Sequence, residues 1–278
     1  MLSITTASLD AFIKHLREQE YSPATIAKYA HDVQTLIQYA PEGIRDKEHL
    51  NSFRAWLEDK GYSGASVNSM LGAVNCFLAF LGSDWQLKYV RVQRRVFLPA
   101  DRELNRQEYE SLVSAALNQG DRRLALIVQT LCALGLRISE LKAVTVESLA
   151  AGEASIHNKG KLRTILIPDA LCRKLRAWCY ERGIRAGCVF VTRTGRALDR
   201  SNVWKMLKRL AEAARVLKKK VFPHNLRHLF ARTHYERFKD IVRLADILGH
   251  SSIDTTRIYT ARSGKEERRQ LGQLRLIL

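Results

Sequence analysis

Residues 248–260 read LGHSSIDTTRIYT and place Tyr259 nine positions after His250. Each residue alone has an ordinary structural interpretation. A tyrosine is usually a packed aromatic residue with a polar tip, and a histidine beside a glycine often lies at the end of a helix without a chemical role. The pair has a chemical meaning only if other functional side chains accompany it. Three stretches upstream contain such side chains.

These stretches are rich in cations. They are LGLRISEL at 134–141 with Arg137, HNKGKLRTILIP at 157–168 with Lys159, and PHNLRHLFA at 223–231 with His224 and Arg227. With His250 and Tyr259 they supply two guanidiniums, one ammonium, two imidazoles and a phenol. None of these six side chains is a carboxylate.

This set suits the transfer of a phosphoryl group to a phenol. Two arginines can hold the non-bridging oxygens of a phosphodiester with paired donors, which lysine does poorly. A phenol has a pKa of ~10, so it needs nearby positive charge and a proton acceptor, and His224 could be that acceptor. Lys159, at the tip of a predicted hairpin, could protonate the leaving oxygen.

A metal is not expected in this chemistry. His224 and His228 are four residues apart, a spacing that zinc can use, but no glutamate lies between them. The five cysteines, an odd number without a CxxC pair, are interpreted as reduced core thiols, with neither disulfides nor zinc. We therefore predict no cofactor.

The charge of the chain indicates a polyanionic partner. Its 278 residues include 46 Lys+Arg against 28 Asp+Glu, a formal net charge of +18. Nucleic acid is favoured over an anionic membrane surface, because no run of ~18 apolar residues exists and the basic residues are spread along the chain. The first residues, MLSITTASLDAFIK, lack the pattern of a secretory signal, which predicts a cytoplasmic, nucleoid-associated protein.

The periodicity of apolar residues predicts two domains. Residues 8–40 read as two amphipathic helices, with Ser22 and Pro23 starting the second, and helices near 46–60 and 65–82 follow. We therefore assign 1–86 to a helical domain and 87–102 to a basic linker. Residues 103–278 form a second, mostly helical domain, in which 144–170 is predicted to form three short antiparallel strands.

Taken together and in this order, the four stretches resemble the tyrosine recombinase (lambda-integrase-like) family, and the two-domain length is most similar to its Xer-type members. GLRISEL matches the first arginine motif, NKGK the hairpin lysine, HNLRHLFA the second arginine motif, and LGHSS with TTRIYT the last motif. The resemblance implies six catalytic residues, which are Arg137, Lys159, His224, Arg227, His250 and Tyr259. It makes His228 a structural partner.

The resemblance also implies a fold and a reaction. The fold would be mainly α with a small antiparallel β-sheet in the catalytic domain, the two domains forming a C-shaped clamp, with 1–86 as a SAM-like core-binding domain. Tyr259 would attack the scissile phosphate, form a 3′-phosphotyrosyl link and release a 5′-hydroxyl. Family members work as tetramers on two DNA duplexes, so a homotetramer, or a heterotetramer with a related recombinase, is expected. Leu271, Leu274 and Leu278 could belong to a C-terminal helix that docks on a neighbouring subunit.

Candidate DNA contacts lie outside this set. They are Thr25, Lys28 and Tyr29 on the second helix, Arg91, Arg94 and Arg95 in the linker, and Ser201, Asn202, Lys205 and Arg209 on a helix near 200–215. The run Lys218–Lys220 is expected to contact phosphate only. A surface helix without a ligand would show the same residues.

Two other functions stay open at this point. A type IB topoisomerase would use the same chemistry to relax one duplex, although the short N-terminal module argues against it. A DNA-binding accessory protein without catalysis is the second alternative, against which the complete set of six residues argues.

Overall fold

A computed structural model of the chain describes residues 2–91, 102–158, 161–192, 194–259 and 272–273. Lys159, Arg94, Arg95 and the C-terminal leucines lie outside these residues. The described part is mostly helical with one two-stranded antiparallel sheet, which confirms the predicted fold class. Its contacts divide the chain into two compact units, Met1–Arg94 and Arg95–Leu278.

Four helices form the first unit. They are α1 (Thr6–Glu18), α2 (Pro23–Tyr39), α3 (Lys47–Asp59) and α4 (Gly64–Phe80). The predicted start of α2 is confirmed, because the Ser22 side chain accepts a hydrogen bond from the Thr25 backbone and Pro23 occupies the first helical position. A proline costs nothing there, since that N–H has no partner within the helix.

The core of the first unit is assembled from one apolar stripe per helix. Phe12 of α1 and Phe77 of α4 meet edge to face with their ring centroids 5.2 Å apart. Leu36 of α2 and Phe53 of α3 are completely buried in the same cluster. The four predicted helices therefore share one hydrophobic core.

The second unit contains eight helices and two strands among the described residues. They are α5 (Arg106–Asn118), α6 (Arg122–Leu134), α7 (Val146–Ala151), β1 (Glu153–Asn158), β2 (Lys161–Leu166), α8 (Asp169–Glu181), α9 (Arg200–Ala213), α10 (Pro223–Phe238), α11 (Ile241–Leu248) and α12 (Ile253–Thr256). Short 3-10 helices cover Ile138–Ala143, Lys218–Lys220 and Arg257–Tyr259. One large cluster of buried apolar residues packs these elements together.

The prediction of three strands in 144–170 is wrong for the first of them. β1 and β2 pair antiparallel, from Glu153 opposite Leu166 to Asn158 opposite Lys161. Residues 146–151 form α7 instead, because the side chains of Thr145 and Ser148 cap its first turn reciprocally. The β-branched residues that suggested a strand thus stand at a helix start.

Gly135 ends α6 in the left-handed conformation, with φ of 58°. A Cβ atom there would lie 2.5 Å from Cδ1 of Phe230 on α10. Glycine is required for both reasons, and the sharp end of α6 directs the chain into Arg137.

We predict that Gly135→Ala lowers the free energy of unfolding by about 2–4 kcal/mol, since it adds a steric clash to the cost of the left-handed backbone. Gly120→Ala is the matched control, because Gly120 also has a positive φ, 71°, but has open space around it. Urea unfolding of both variants measures the difference. Equal losses would show that the contact with Phe230 carries no cost.

No helix in the described ranges has both the length and the apolar character needed to span a membrane. All five cysteines are free thiols, of which Cys172 and Cys179 are buried and the other three half-buried. Burial raises the pKa of the Cys132 thiol to about 12, so this side chain stays protonated at neutral pH.

Candidate active site

Arg137 stands at the start of the 3-10 helix Ile138–Ala143. Its Nη1 donates to Oε1 of Glu140 at 2.9 Å, and its backbone N–H donates to Oε2 of the same carboxylate at 2.8 Å. The Arg137 side chain remains 30% exposed. A guanidinium held at one end and open at the other can still bind an anion.

Glu140 is a buried carboxylate that receives several arginines. Arg163 of β2 donates to both of its oxygens, at 3.0 and 2.8 Å, and Nη1 of Arg227 lies 3.9 Å from Oε2. Burial raises the pKa of Glu140, but the hydrogen bonds from Arg163 and Arg137 more than offset this, so the pKa lies below its usual value. Glu140 is therefore ionised at neutral pH and balances part of the positive charge.

Arg227 of α10 has no exposed side-chain surface. It donates to the backbone oxygens of Gly135 and Leu248, both at 2.7 Å, so it joins the end of α6 to the end of α11. Burial and the charge of Arg137 lower the pKa of Arg227 to about 10. The guanidinium nevertheless stays charged at pH 7.

His250 follows Gly249, which ends α11 with φ of 64°. Its Nε2 lies 3.0 Å from Nη2 of Arg227, and its Nδ1 lies 2.9 Å from Oγ1 of Thr256. Because a guanidinium only donates, Nε2 accepts and Nδ1 carries the proton toward Thr256. Burial and the charge of Arg227 lower the pKa of His250 to about 4, so the ring is neutral.

Tyr259 belongs to the 3-10 helix Arg257–Tyr259 and is only 4% exposed. Its ring stacks parallel to His250 at 6.2 Å and meets His228 edge to face at 5.0 Å. Burial raises the pKa of Tyr259, while the charges of Arg227 and Arg137 act in the opposite direction. The phenol of this chain therefore lies beside the cations of the same chain.

The two histidines of α10 differ in their surroundings. The ring of His224 lies 4.5 Å from that of His228, and His224 is the more exposed of the two. Burial and the nearby His224 lower the pKa of His228 to about 4, and burial with the charges of Arg227 and Arg137 lowers that of His224. Neutral His224 is in the form that can accept a proton. In the described part of the chain, no cluster of three or more His, Cys, Asp or Glu side chains could hold a metal ion.

The structure thus brings together Arg137, Arg227, His250 and Tyr259, with His224 next to His228 on the same helix. Lys159 lies outside the described residues, in the two-residue connection between β1 and β2. The hairpin that carries it is tied to the site by Arg163.

Three residues of the site were not predicted from the sequence. Glu140 is the first of them, and its position three residues after Arg137, the spacing of a capping interaction or an ion pair, is a signal present in the sequence. Arg163 and Thr256 reach the site through contacts between elements, which no local sequence pattern indicates.

The predicted DNA contacts lie in different environments. On α9, Ser201, Asn202, Lys205 and Arg209 are exposed, while Val203, Leu207 and Leu210 form the buried face. In the first unit, Lys28 of α2 donates to Asp32 and to the Ser69 backbone oxygen, and Tyr29 is partly buried against the core. The face of α9 is therefore the more open of the two, and Arg91 is exposed as well.

Lys220 corrects the prediction that the whole run 218–220 contacts phosphate. It is 9% exposed and its Nζ donates to Glu108 at 2.7 Å. Its neighbour Lys218 pairs with Glu212. This buried, paired ammonium joins α5 to the 3-10 helix Lys218–Lys220 and is not available to a ligand.

Comparison with known proteins agrees with this geometry. Residues 102–266 match the phage integrase family, and residues 9–84 match its N-terminal SAM-like domain. The chain is 32% identical over 262 residues to tyrosine recombinase XerA of Thermococcus kodakarensis, covering 91% of this chain and 89% of that protein. It is 30% identical over 271 residues to tyrosine recombinase XerC of Pseudomonas savastanoi pv. phaseolicola, covering 91% and 90%.

Among solved structures, the XerH site-specific recombinase bound to its difH substrate, a pre-cleavage complex, has the same fold. The TM-score is 0.69 at 22% identity, over 96% of this chain and 84% of that one. The matched family covers more than half of the chain, including every residue of the site. The chain therefore belongs to the phage integrase family and is a tyrosine recombinase of the site-specific, Xer-like kind.

Proposed function

We propose that the chain cuts and rejoins DNA strands at a specific recombination site through a covalent 3′-phosphotyrosyl intermediate on Tyr259. One observation carries this proposal: Tyr259 lies within one chain beside His250 and the positive charge of Arg227. A phenol in that position has the cations that a phosphoryl transfer requires.

In this reaction the Tyr259 oxygen forms a bond to the scissile phosphorus while the bond from phosphorus to the 5′ oxygen breaks. The phenolic proton passes to His224, and Lys159 gives a proton to the departing 5′ oxygen. Arg137 binds the non-bridging oxygens through its exposed side, and the buried charge of Arg227 helps to offset the negative charge that grows on them. His250 hydrogen-bonds the phosphate after its ring N–H leaves Thr256. The phosphotyrosyl bond conserves the energy of the phosphodiester, so a 5′-hydroxyl of another strand can reverse the step without a nucleotide, metal or other cofactor.

The partner in this proposal is double-stranded DNA that carries a recombination site. The net charge of +18 supports it, and so does the DNA complex of the structurally similar XerH. We assign phosphate or base contacts to the exposed residues of α9 and to the linker arginines, with a smaller contribution from Thr25, Lys28 and Tyr29 of α2. The core-binding domain would cover residues 1–86, the linker 87–102 and the catalytic domain 103–278, in a protein of the cytoplasm and nucleoid.

Assembly follows from the same proposal. Two duplexes must be held together while strands are exchanged, which requires four active sites, so we propose a homotetramer or a heterotetramer with a related recombinase. The C-terminal segment with Leu271, Leu274 and Leu278 would join neighbouring subunits. Whether the product is an integrated, excised, inverted or resolved DNA depends on the positions of the two sites.

The test uses a suicide substrate with a nick close to the cleavage point, so that the short released piece diffuses away and religation fails. Sites for the substrate are first selected as DNA fragments that the chain binds. We expect a protein–DNA band that survives denaturing electrophoresis and is removed by protease. Relaxation of supercoiled plasmid without recombinant products would instead support a topoisomerase. Binding without a covalent band on any selected site would support an accessory protein.

A further inference from the structure

Arg137, Arg163 and Arg227 form an arginine cluster around Glu140. The proposed reaction has no role for Arg163. It lies on β2 opposite Ile156 of β1, and its side chain is 13% exposed. Both of its terminal nitrogens are used by Glu140, Nη1 on Oε1 and Nη2 on Oε2. A guanidinium that is bound at both ends by a buried carboxylate is poorly placed to bind a phosphate as well.

This two-ended contact fixes the plane of the Glu140 carboxylate. Arg137 donates hydrogen bonds to the same two carboxylate oxygens, one from its backbone N–H and one from Nη1. Among the described residues, Glu140 is the one hydrogen-bond partner of the Arg137 side chain. The orientation of Arg137 therefore depends on how the carboxylate is held, and Arg163 holds it.

A second contact links Arg163 to the other half of the site. The side chain packs against Gly249, where a Cβ atom would lie 2.6 Å from Nη1 and 2.8 Å from Cδ of Arg163. Gly249 is the residue before His250. One side chain from the hairpin thus contacts the segment before His250 and the carboxylate that orients Arg137.

We infer that Arg163 is a positioning residue, which sets the orientation of Arg137 toward the scissile phosphate through Glu140 and touches no substrate itself. This inference rests on the proposed function, in which Arg137 binds the phosphate. Removal of the Arg163 side chain should lower the rate of cleavage, because a displacement of about 1 Å at a reacting group can slow a reaction on the order of 10²-fold. Binding of DNA, which depends on many contacts, should change little.

The experiment compares Arg163→Met with Arg122→Met. Arg122 forms a pair with Glu181 on the surface of the same domain, so its variant also removes an arginine from an arginine–carboxylate pair. The measurements are the equilibrium affinity for a site-containing duplex and the single-turnover rate of covalent complex formation on the suicide substrate. We expect Arg163→Met to slow cleavage by about 10–100-fold with affinity within about twofold of wild type, and Arg122→Met to change neither.

A double-mutant cycle with Arg137→Lys separates positioning from a general structural role. If Arg163 acts through Arg137, then Arg163→Met should slow the Arg137→Lys enzyme by less than about threefold, because the group to be oriented is already gone. If Arg163→Met slows cleavage by the same factor in the wild-type and the Arg137→Lys enzymes, the inference is overturned. An unchanged cleavage rate in the single variant Arg163→Met would also overturn it.

Arg163→Lys keeps the test decisive if the methionine variant does not fold. Lysine retains the charge next to Glu140 but offers a point donor instead of a two-pronged one. We expect a folded protein with cleavage slowed by about 5–20-fold, and a wild-type rate would contradict the inference. The wild-type chain must first form the covalent complex: its failure to do so would refute the proposed function, whereas wild-type cleavage with unaffected Arg163 variants refutes this inference alone.

Discussion

Tyr259→Phe is expected to bind a site-containing duplex as the wild-type chain does and to form no covalent complex with it. The substitution removes one oxygen atom and keeps the ring that packs against His228 and His250. The fold and the cationic site should therefore persist, while the atom that would bond to phosphorus is missing. Electrophoretic mobility shift and denaturing gels of the same reaction measure the two properties together.

Another tyrosine provides the control for this experiment. Tyr235 lies on α10 and packs partly against the same small apolar cluster as Tyr259. Tyr235→Phe should retain covalent complex formation within about threefold of wild type, because the Tyr235 hydroxyl has no part in the proposed reaction and removing a partly exposed hydroxyl costs about 1 kcal/mol or less. A covalent band of normal intensity from Tyr259→Phe would refute the assignment of the nucleophile.

Glu140→Ala is expected to lower the free energy of unfolding by about 3–5 kcal/mol, the cost of removing one partner from a buried ion pair. The carboxylate accepts hydrogen bonds from Arg137 and Arg163, and Arg227 lies 3.9 Å from it. Its loss leaves these guanidiniums close together without a negative charge between them. Urea denaturation at pH 7 and low salt measures the effect.

Glu181→Ala is the matched control, because Glu181 pairs with Arg122 on the surface and its side chain is 48% exposed. Water screens such a pair, and its loss should cost less than about 1 kcal/mol. Similar losses in the two variants would mean that Glu140 does not organise the arginine cluster. Glu140→Gln should fall between wild type and Glu140→Ala, since the amide keeps one acceptor oxygen and loses the charge.

The helices of this chain could be predicted because their signals are local. Ser22 and Pro23 start α2, and an apolar residue returns to the same face every three or four positions. The strand predicted at the start of 144–170 is wrong because two local signals compete there. The β-branched residues favour a strand, but the reciprocal cap between Thr145 and Ser148 stabilises a helix start. A local capping interaction outweighed a local propensity.

The parts of the site that the sequence could not predict depend on distant partners. Glu140 gains its importance from Arg163, 23 residues away on a hairpin that folds back onto it. The sequence places Lys220 in a basic run that is expected to contact phosphate, yet Glu108, 112 residues away, holds it in a buried pair. The catalytic motif residues could be predicted from a family resemblance. The roles of Glu140 and Arg163, which hold Arg137 in place, became visible only in the structure.

The identity of the residue that becomes attached to DNA tests the central claim most directly. The trapped complex from the suicide substrate is digested with nuclease and protease, and the peptides are sequenced by mass spectrometry. We predict that a peptide containing Tyr259 carries the added mass of a 3′-linked nucleotide on that tyrosine. A nucleotide attached to any other side chain, or one linked through its 5′ phosphate, would contradict the account.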